Sequence, residues 1–143
     1  MTDQIQIIDQ PSPSDLNKTN EELFRFKSVF PFDFFPDSVV LDRFKINIIK
    51  RDFFLSHRII TIPLSGLIGV KVSSGPFLSQ VEIFDPQGGQ KSVIVRNLMN
   101  SDSRRFRELV EGLIVSLKQG VNITRMSKEE LIKCALNWGA VIT

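Results

Sequence analysis

Histidine and cysteine occur once each in the 143 residues, tryptophan once and tyrosine not at all. A zinc site needs three or four Cys, His or carboxylate ligands and a disulfide needs two Cys, so His57 and Cys134 alone exclude the common forms of both. Stability must come from packing. One cysteine suits a reducing compartment. Nucleophilic or acid–base catalysis needs a nucleophile, a base and an orienting group in one cleft, and the inventory for that is thin. His57 sits between Ser56 and Arg58 in a hairpin with no marked partner. Cys134 falls in an amphipathic stretch, where a cysteine serves as a small apolar residue. Gly88-Gly89 lacks the Lys and Ser or Thr of a phosphate-binding loop and joins strands instead of opening a helix. The chain reads as a protein without catalytic activity and without a cofactor or metal.

No apolar run reaches the roughly 18 residues a membrane-spanning helix requires. Residues 1–10 lack the basic and apolar regions of a secretory signal. The expected location is the cytoplasm. Hydrophobic residues make up 42% and charged residues 24%, with a mean hydropathy of +0.02, which is the composition of a folded globular chain.

The net charge of +2 hides a division. Residues 1–23 carry one Lys against five acidic residues, −4, and the rest carries 17 basic against 11 acidic residues, +6. A charge of +6 on such a body is small for a nucleic-acid binder, so nucleic acid is disfavoured as a partner. Residues 1–22, with Pro11-Ser12-Pro13-Ser14 and few apolar residues beyond Ile5, Ile7 and Ile8, read as a flexible acidic arm.

Twelve phenylalanines are the one compositional excess. Leu23, Phe24, Phe26, Val29, Phe30, Phe32, Phe34 and Phe35 crowd a segment broken by Pro31 and closed by Pro36. The prolines forbid a helix interior and a central strand, so the segment is expected to be extended and to bury its rings in the core; the alternative is an exposed Phe cluster, flanked by Arg25 and Lys27, that enters a membrane interface. Strand patterns follow. Ser38–Leu41 is β-branched; Phe44, Ile46 and Ile48 alternate with Lys45 and Asn47; Ile60 and Ile62 alternate with Ile59 and Thr61. Ile68, Val70 and Val72, then Val81 and Ile83, then Val93 and Val95 repeat the period of two. Asp42-Arg43, Ser65-Gly66, Gly75-Pro76 and Asp85-Pro86-Gln87-Gly88-Gly89 supply turns. The pattern predicts an antiparallel meander of six strands, or seven if part of the Phe segment pairs.

Phe106, Leu109, Val110, Leu113, Ile114 and Leu117 then fall on one helical stripe. Asn100, Ser101 and Asp102 offer N-cap oxygens, and Gly120 is placed to end the helix in the left-handed region. A shorter helix is signalled by Ser127 and Glu130 at capping-box spacing, followed by Leu131, Cys134, Ala135 and Trp138.

The order of elements, six or seven meandering strands closed by one amphipathic helix, resembles the pleckstrin-homology superfold. The run from Lys45 through Asp52-Phe53-Phe54-Leu55 to Ile62-Pro63-Leu64 and on to Val72 is similar to bacterial PH-like domains, in which a strand ends in an aromatic pair and an I-P-L stretch leads into the next strand. The resemblance covers residues 37–119. It implies an α+β, mainly β fold: an antiparallel barrel or sandwich over residues 23–120, with residues 121–143 as a helical extension. It also implies a binding module. In relatives that hold phosphoinositides, a basic signature lies across the first hairpin; the spacing of Lys45, Lys50, Arg51 and Arg58 departs from it, which argues against such specificity.

Two readings of function result. The first is protein interaction through a sheet edge or the groove between sheet and helix. The alternative is a peripheral module at the inner face of the membrane, where Phe53, Phe54 and Leu55 enter the interface and Lys45, Lys50, Arg51 and Arg58 meet anionic lipid. Arg43 and His57 are expected on the same hairpin edge as those cations. The competing reading is that Phe53 and Phe54 end a strand, with one ring inside and one half covered.

Overall fold

The computed structural model of the chain describes residues 21–53, 56–85 and 92–142. Seven strands form two antiparallel sheets, followed by two helices. The first sheet has the order β1 (Phe24–Lys27), β2 (Ser38–Leu41), β3 (Lys45–Phe53), β4 (Ser56–Pro63). A 3-10 turn at Leu64–Gly66 leads to the second sheet, β5 (Gly69–Ser74), β6 (Leu78–Phe84), β7 (Ser92–Met99). Helix α1 (Asn100–Lys118) and helix α2 (Lys128–Ile142) complete the chain. The fold is thus α+β and mainly β.

The period of two places the core. Ile46, Ile48 and Ile62 line the inner face of the first sheet, and Val81, Ile83, Val95 and Leu98 that of the second; all are fully buried. Phe106, Leu109, Val110 and Leu113 on α1 are buried against them. The Phe106 ring lies 5.0 Å from that of Phe26, tying the helix to β1.

Both helix ends match the residues that mark them, with one exception. Gly120 has φ +74°, Gly120 N–H donates to Leu117 O at 3.1 Å and Val121 N–H to Ser116 O at 3.0 Å, a Schellman closure. Ser127 and Glu130 form the reciprocal capping box: Glu130 N–H donates to Ser127 Oγ at 3.2 Å and Ser127 N–H to Glu130 Oε2 at 3.1 Å. The start of α1 differs from expectation. Its N-cap is Met99, with no side-chain cap, and Asn100 Nδ2 instead donates to Gly75 O at 3.1 Å. β7 runs straight into the helix, so the cap position falls one residue before the polar cluster.

Helix α2 docks on α1 at van der Waals closeness. A Cβ built on Gly112 would stand 1.7 Å from Ala135 O, and one on Gly139 would stand 2.1 Å from Glu108 O. Small residues at these two crossings let the backbones meet, while Leu131 and Ala135 are buried beside them.

The Phe segment divides. Leu23 and Phe26 enter the core as expected, and residues 24–27 pair with β2 as the seventh strand. Phe30, Phe32 and Phe34 do not; they are 67%, 67% and 75% exposed. The loop that carries them satisfies its polar groups locally and needs no core for its rings. Ile68, expected on a strand face, precedes β5 and is exposed. The arm over residues 1–20, Phe54, Leu55 and the turn from Pro86 lie outside the described residues.

Candidate aromatic and basic surface

Ser28 and Asp37 close the base of the β1–β2 loop. Ser28 N–H donates to Asp37 O at 2.9 Å, Asp37 N–H donates to Ser28 Oγ at 2.7 Å, and Ser28 Oγ–H donates to Asp33 Oδ2 at 2.9 Å. Asp33 Oδ1 accepts from Phe35 N–H at 3.1 Å. These bonds use short polar side chains as turn residues do, which leaves the phenylalanine rings outside.

A bulge in β7 receives the loop. Ser79 pairs with Leu98 while Val81 pairs with Val95, so β7 carries one residue more than β6 over this stretch. Asn97 takes the left-handed conformation there, φ 58°, which Asn tolerates better than most residues. Its carbonyl accepts from Val29 N–H at 2.8 Å.

The rings form a shelf. Phe30 and Phe34 meet edge to face at 6.1 Å, and Phe35 lies 6.1 Å from Phe53 at the end of β3. Phe53 ends β3 as expected, but its ring is 71% exposed, neither inside nor half covered; Phe54 lies outside the described residues. The β1–β2 loop and the β3–β4 hairpin therefore present one aromatic surface. A groove of 590 Å³ runs beneath it, lined by Phe32, Phe34, Phe35, Lys50, Ile94 and Arg96 among others.

The cations named by the sequence do not act as one cluster. Arg43 is fully buried, donating from Nη1 to Ile123 O at 2.7 Å and pairing through Nη2 with Glu21 Oε2 at 2.9 Å; it is a core tie and lies away from the hairpin edge. Lys45 is at the opposite end of β3, opposite Pro63, roughly 16 Å along the strand from Lys50. Lys50 turns inward on the face of Ile46 and Ile48, where its Nζ donates to Ile94 O at 2.9 Å and lies 3.9 Å from Asp37 Oδ2. Arg58 pairs with Asp52 at 3.3 Å. Arg51 and His57 are exposed and face each other across β3 and β4.

Among the described residues, Lys27, Arg51 and Arg96 are the exposed cations at this end without a carboxylate partner. Sequence reasoning missed Arg96, and it placed Phe30, Phe32, Phe34 and Lys27 at a membrane interface only as the alternative to a buried segment. Their signal was the pair of prolines: residues that prevent regular structure also loosen the claim that a ring must be buried. Burial pushes the Asp37 carboxyl above its ordinary value, against the Arg51 N–H bond and the nearby Lys50, which lower it.

A second concavity, of 350 Å³, lies between β5 and α1 and is lined by Val72, Ser74, Arg104, Arg107 and Glu108. Among the described residues no group of three or more His, Cys, Asp or Glu is placed to hold a metal ion, and no helix is long and apolar enough to cross a membrane. No protein-family model matches the chain, and no curated protein matches it in sequence.

Proposed function

We propose that the chain is a non-catalytic PH-like binding module that docks on anionic membrane surfaces through the aromatic end formed by the β1–β2 loop and the β3–β4 hairpin. The PH-like assignment rests on the arrangement of four strands, then three, then a helix following the last strand. The docking reading rests on one observation: four phenylalanines, each about two-thirds exposed or more, sit on two adjoining loops. Arg96 lines one groove with Phe32 and Phe34, Arg51 lines another with Phe53, and Lys27 precedes Phe30 by three residues. Full burial of a Phe side chain contributes about 1.5–3 kcal/mol. Each Lys or Arg near an anionic leaflet adds about 1 kcal/mol. Partial insertion of these rings with the cations on head groups is enough for reversible attachment.

Co-sedimentation with vesicles of phosphatidylcholine alone, and of phosphatidylcholine with phosphatidylserine, tests it. The wild type pellets with the anionic vesicles, less at higher salt, and a Phe32→Ser, Phe34→Ser variant stays in solution. Absence of pelleting with either vesicle, or pelleting indifferent to the two rings, overturns the reading. The second reading, a protein segment lying in the groove between β5 and α1, is supported by the concavity that Arg104 and Arg107 line there. Binding of that kind depends on the Arg pair and is unaffected by the Phe substitutions.

A further inference from the structure

The two sheets have four outer edges among the described residues, and three of them are obstructed. β1 is four residues long and carries Arg25 and Lys27. β5 carries an exposed Lys71 and has α1 packed against it. β7 has its outward carbonyls at Ile94 and Asn97 occupied by Lys50 Nζ and Val29 N–H. Short length, charged residues and covering groups are the means by which proteins prevent edges from pairing with other chains.

β4 is the least protected of the four: it is neither short nor covered by another element among the described residues. It is eight residues long, has no strand neighbour beyond β3 among the described residues, and reads Ile59-Ile60-Thr61-Ile62 through its centre. Its proline stands at the last position, and its one strong charge, Arg58, is answered by Asp52 of its own hairpin. Ile59, on the outer face opposite Ile49, is 61% exposed.

We infer that β4 is a self-association edge, whose partner is β4 of a second copy of this chain in antiparallel pairing about a two-fold axis at Ile59. The strand is complementary to itself in that register. Ile59 faces Ile59 of the second copy and Thr61 faces His57, so the outer face gains an apolar row of Ile49, Ile59, Ile59 and Ile49. On the inner face Arg58 stands opposite Ile60, and no like charges oppose each other. The pairing joins two four-stranded sheets into one of eight strands. It uses none of Phe30, Phe32 and Phe34, so it stands or falls separately from vesicle binding.

The test is the mass of the full chain by light scattering during size exclusion, from dilute to concentrated protein, combined with cysteine cross-linking in a Cys134→Ser background. The wild type shifts towards a dimer as concentration rises. Ile59→Cys forms an intermolecular disulfide under mild oxidation, because directly opposed Cα atoms in an antiparallel pair are about 4.5–5.5 Å apart. Thr61→Cys does not, since the two copies of residue 61 are then about 13 Å apart. Ile59→Lys, an exposed position where folding is retained, sets two cations face to face and leaves a monomer. A wild type monomeric at every concentration overturns the inference. So does a dimer that persists in Ile59→Lys or that cross-links through position 61 as readily as through 59.

Discussion

Lys50 Nζ donates to the carbonyl oxygen of Ile94 at 2.9 Å, and this bond joins β3 of the first sheet to β7 of the second. A lysine that satisfies an edge carbonyl and stands beside Asp37 is a fastening between sheets. Its loss leaves both the carbonyl and the carboxylate short of a partner. Lys50→Met is expected to lower stability by about 1–2 kcal/mol in urea unfolding, with vesicle binding of the folded protein unchanged.

The close crossing of α1 and α2 makes Gly112 intolerant of any side chain. Gly112→Ala must displace the helices or clash with the Ala135 carbonyl. Overpacking of this kind costs about 3 kcal/mol. Trp138, the single tryptophan, lies on α2 and is partly exposed, so its fluorescence reports helix docking directly. A red-shifted emission that precedes loss of sheet signal in the variant is the expected result.

Arg43 is expected to matter for stability alone. Arg43→Met strands the Ile123 carbonyl and the Glu21 carboxylate, at a cost of about 2 kcal/mol. Thermal unfolding measures the loss, and vesicle co-sedimentation of the folded variant is expected to match the wild type. A residue proposed for the lipid surface would show the opposite pattern.

Burial of Asp37 sets the sign of a pH dependence. Its folded carboxyl titrates above the ordinary value of 3.8, so the folded state holds the proton more tightly than the unfolded chain. Stability from this group is therefore greatest at low pH and declines as pH rises from about 3.8 through the raised folded value. Asp37→Asn keeps an oxygen for the Arg51 N–H and removes the titration. The difference in urea midpoint between variant and wild type is expected to move in the variant's favour as pH rises across that window, then to level off.

What the sequence disclosed follows from how local each signal is. The alternation of Ile46 and Ile48, the stripe from Phe106 to Leu113, the closing Gly120 and the Ser127–Glu130 box depend on neighbours within one element, and each appears as read. The candidate site was legible only in part because its properties are set by distant residues. Lys50 is spent on Ile94, forty-four positions away, and Arg43 on Ile123, eighty away. The exposed rings of Phe30, Phe32 and Phe34 depend on Ser28, Asp33 and Asn97 fixing the loop without them. Hydrophobicity alone favours the core for those rings over an exposed cluster.

The shelf of exposed rings also has a calorimetric consequence. Apolar surface raises the heat capacity only when it passes from a dry to a wet environment, and these rings are wet already in the native chain. Unfolding thus gains little heat capacity from Phe30, Phe32 and Phe34. Their contribution is reserved for whatever covers them, where it takes the form of a negative heat capacity of association.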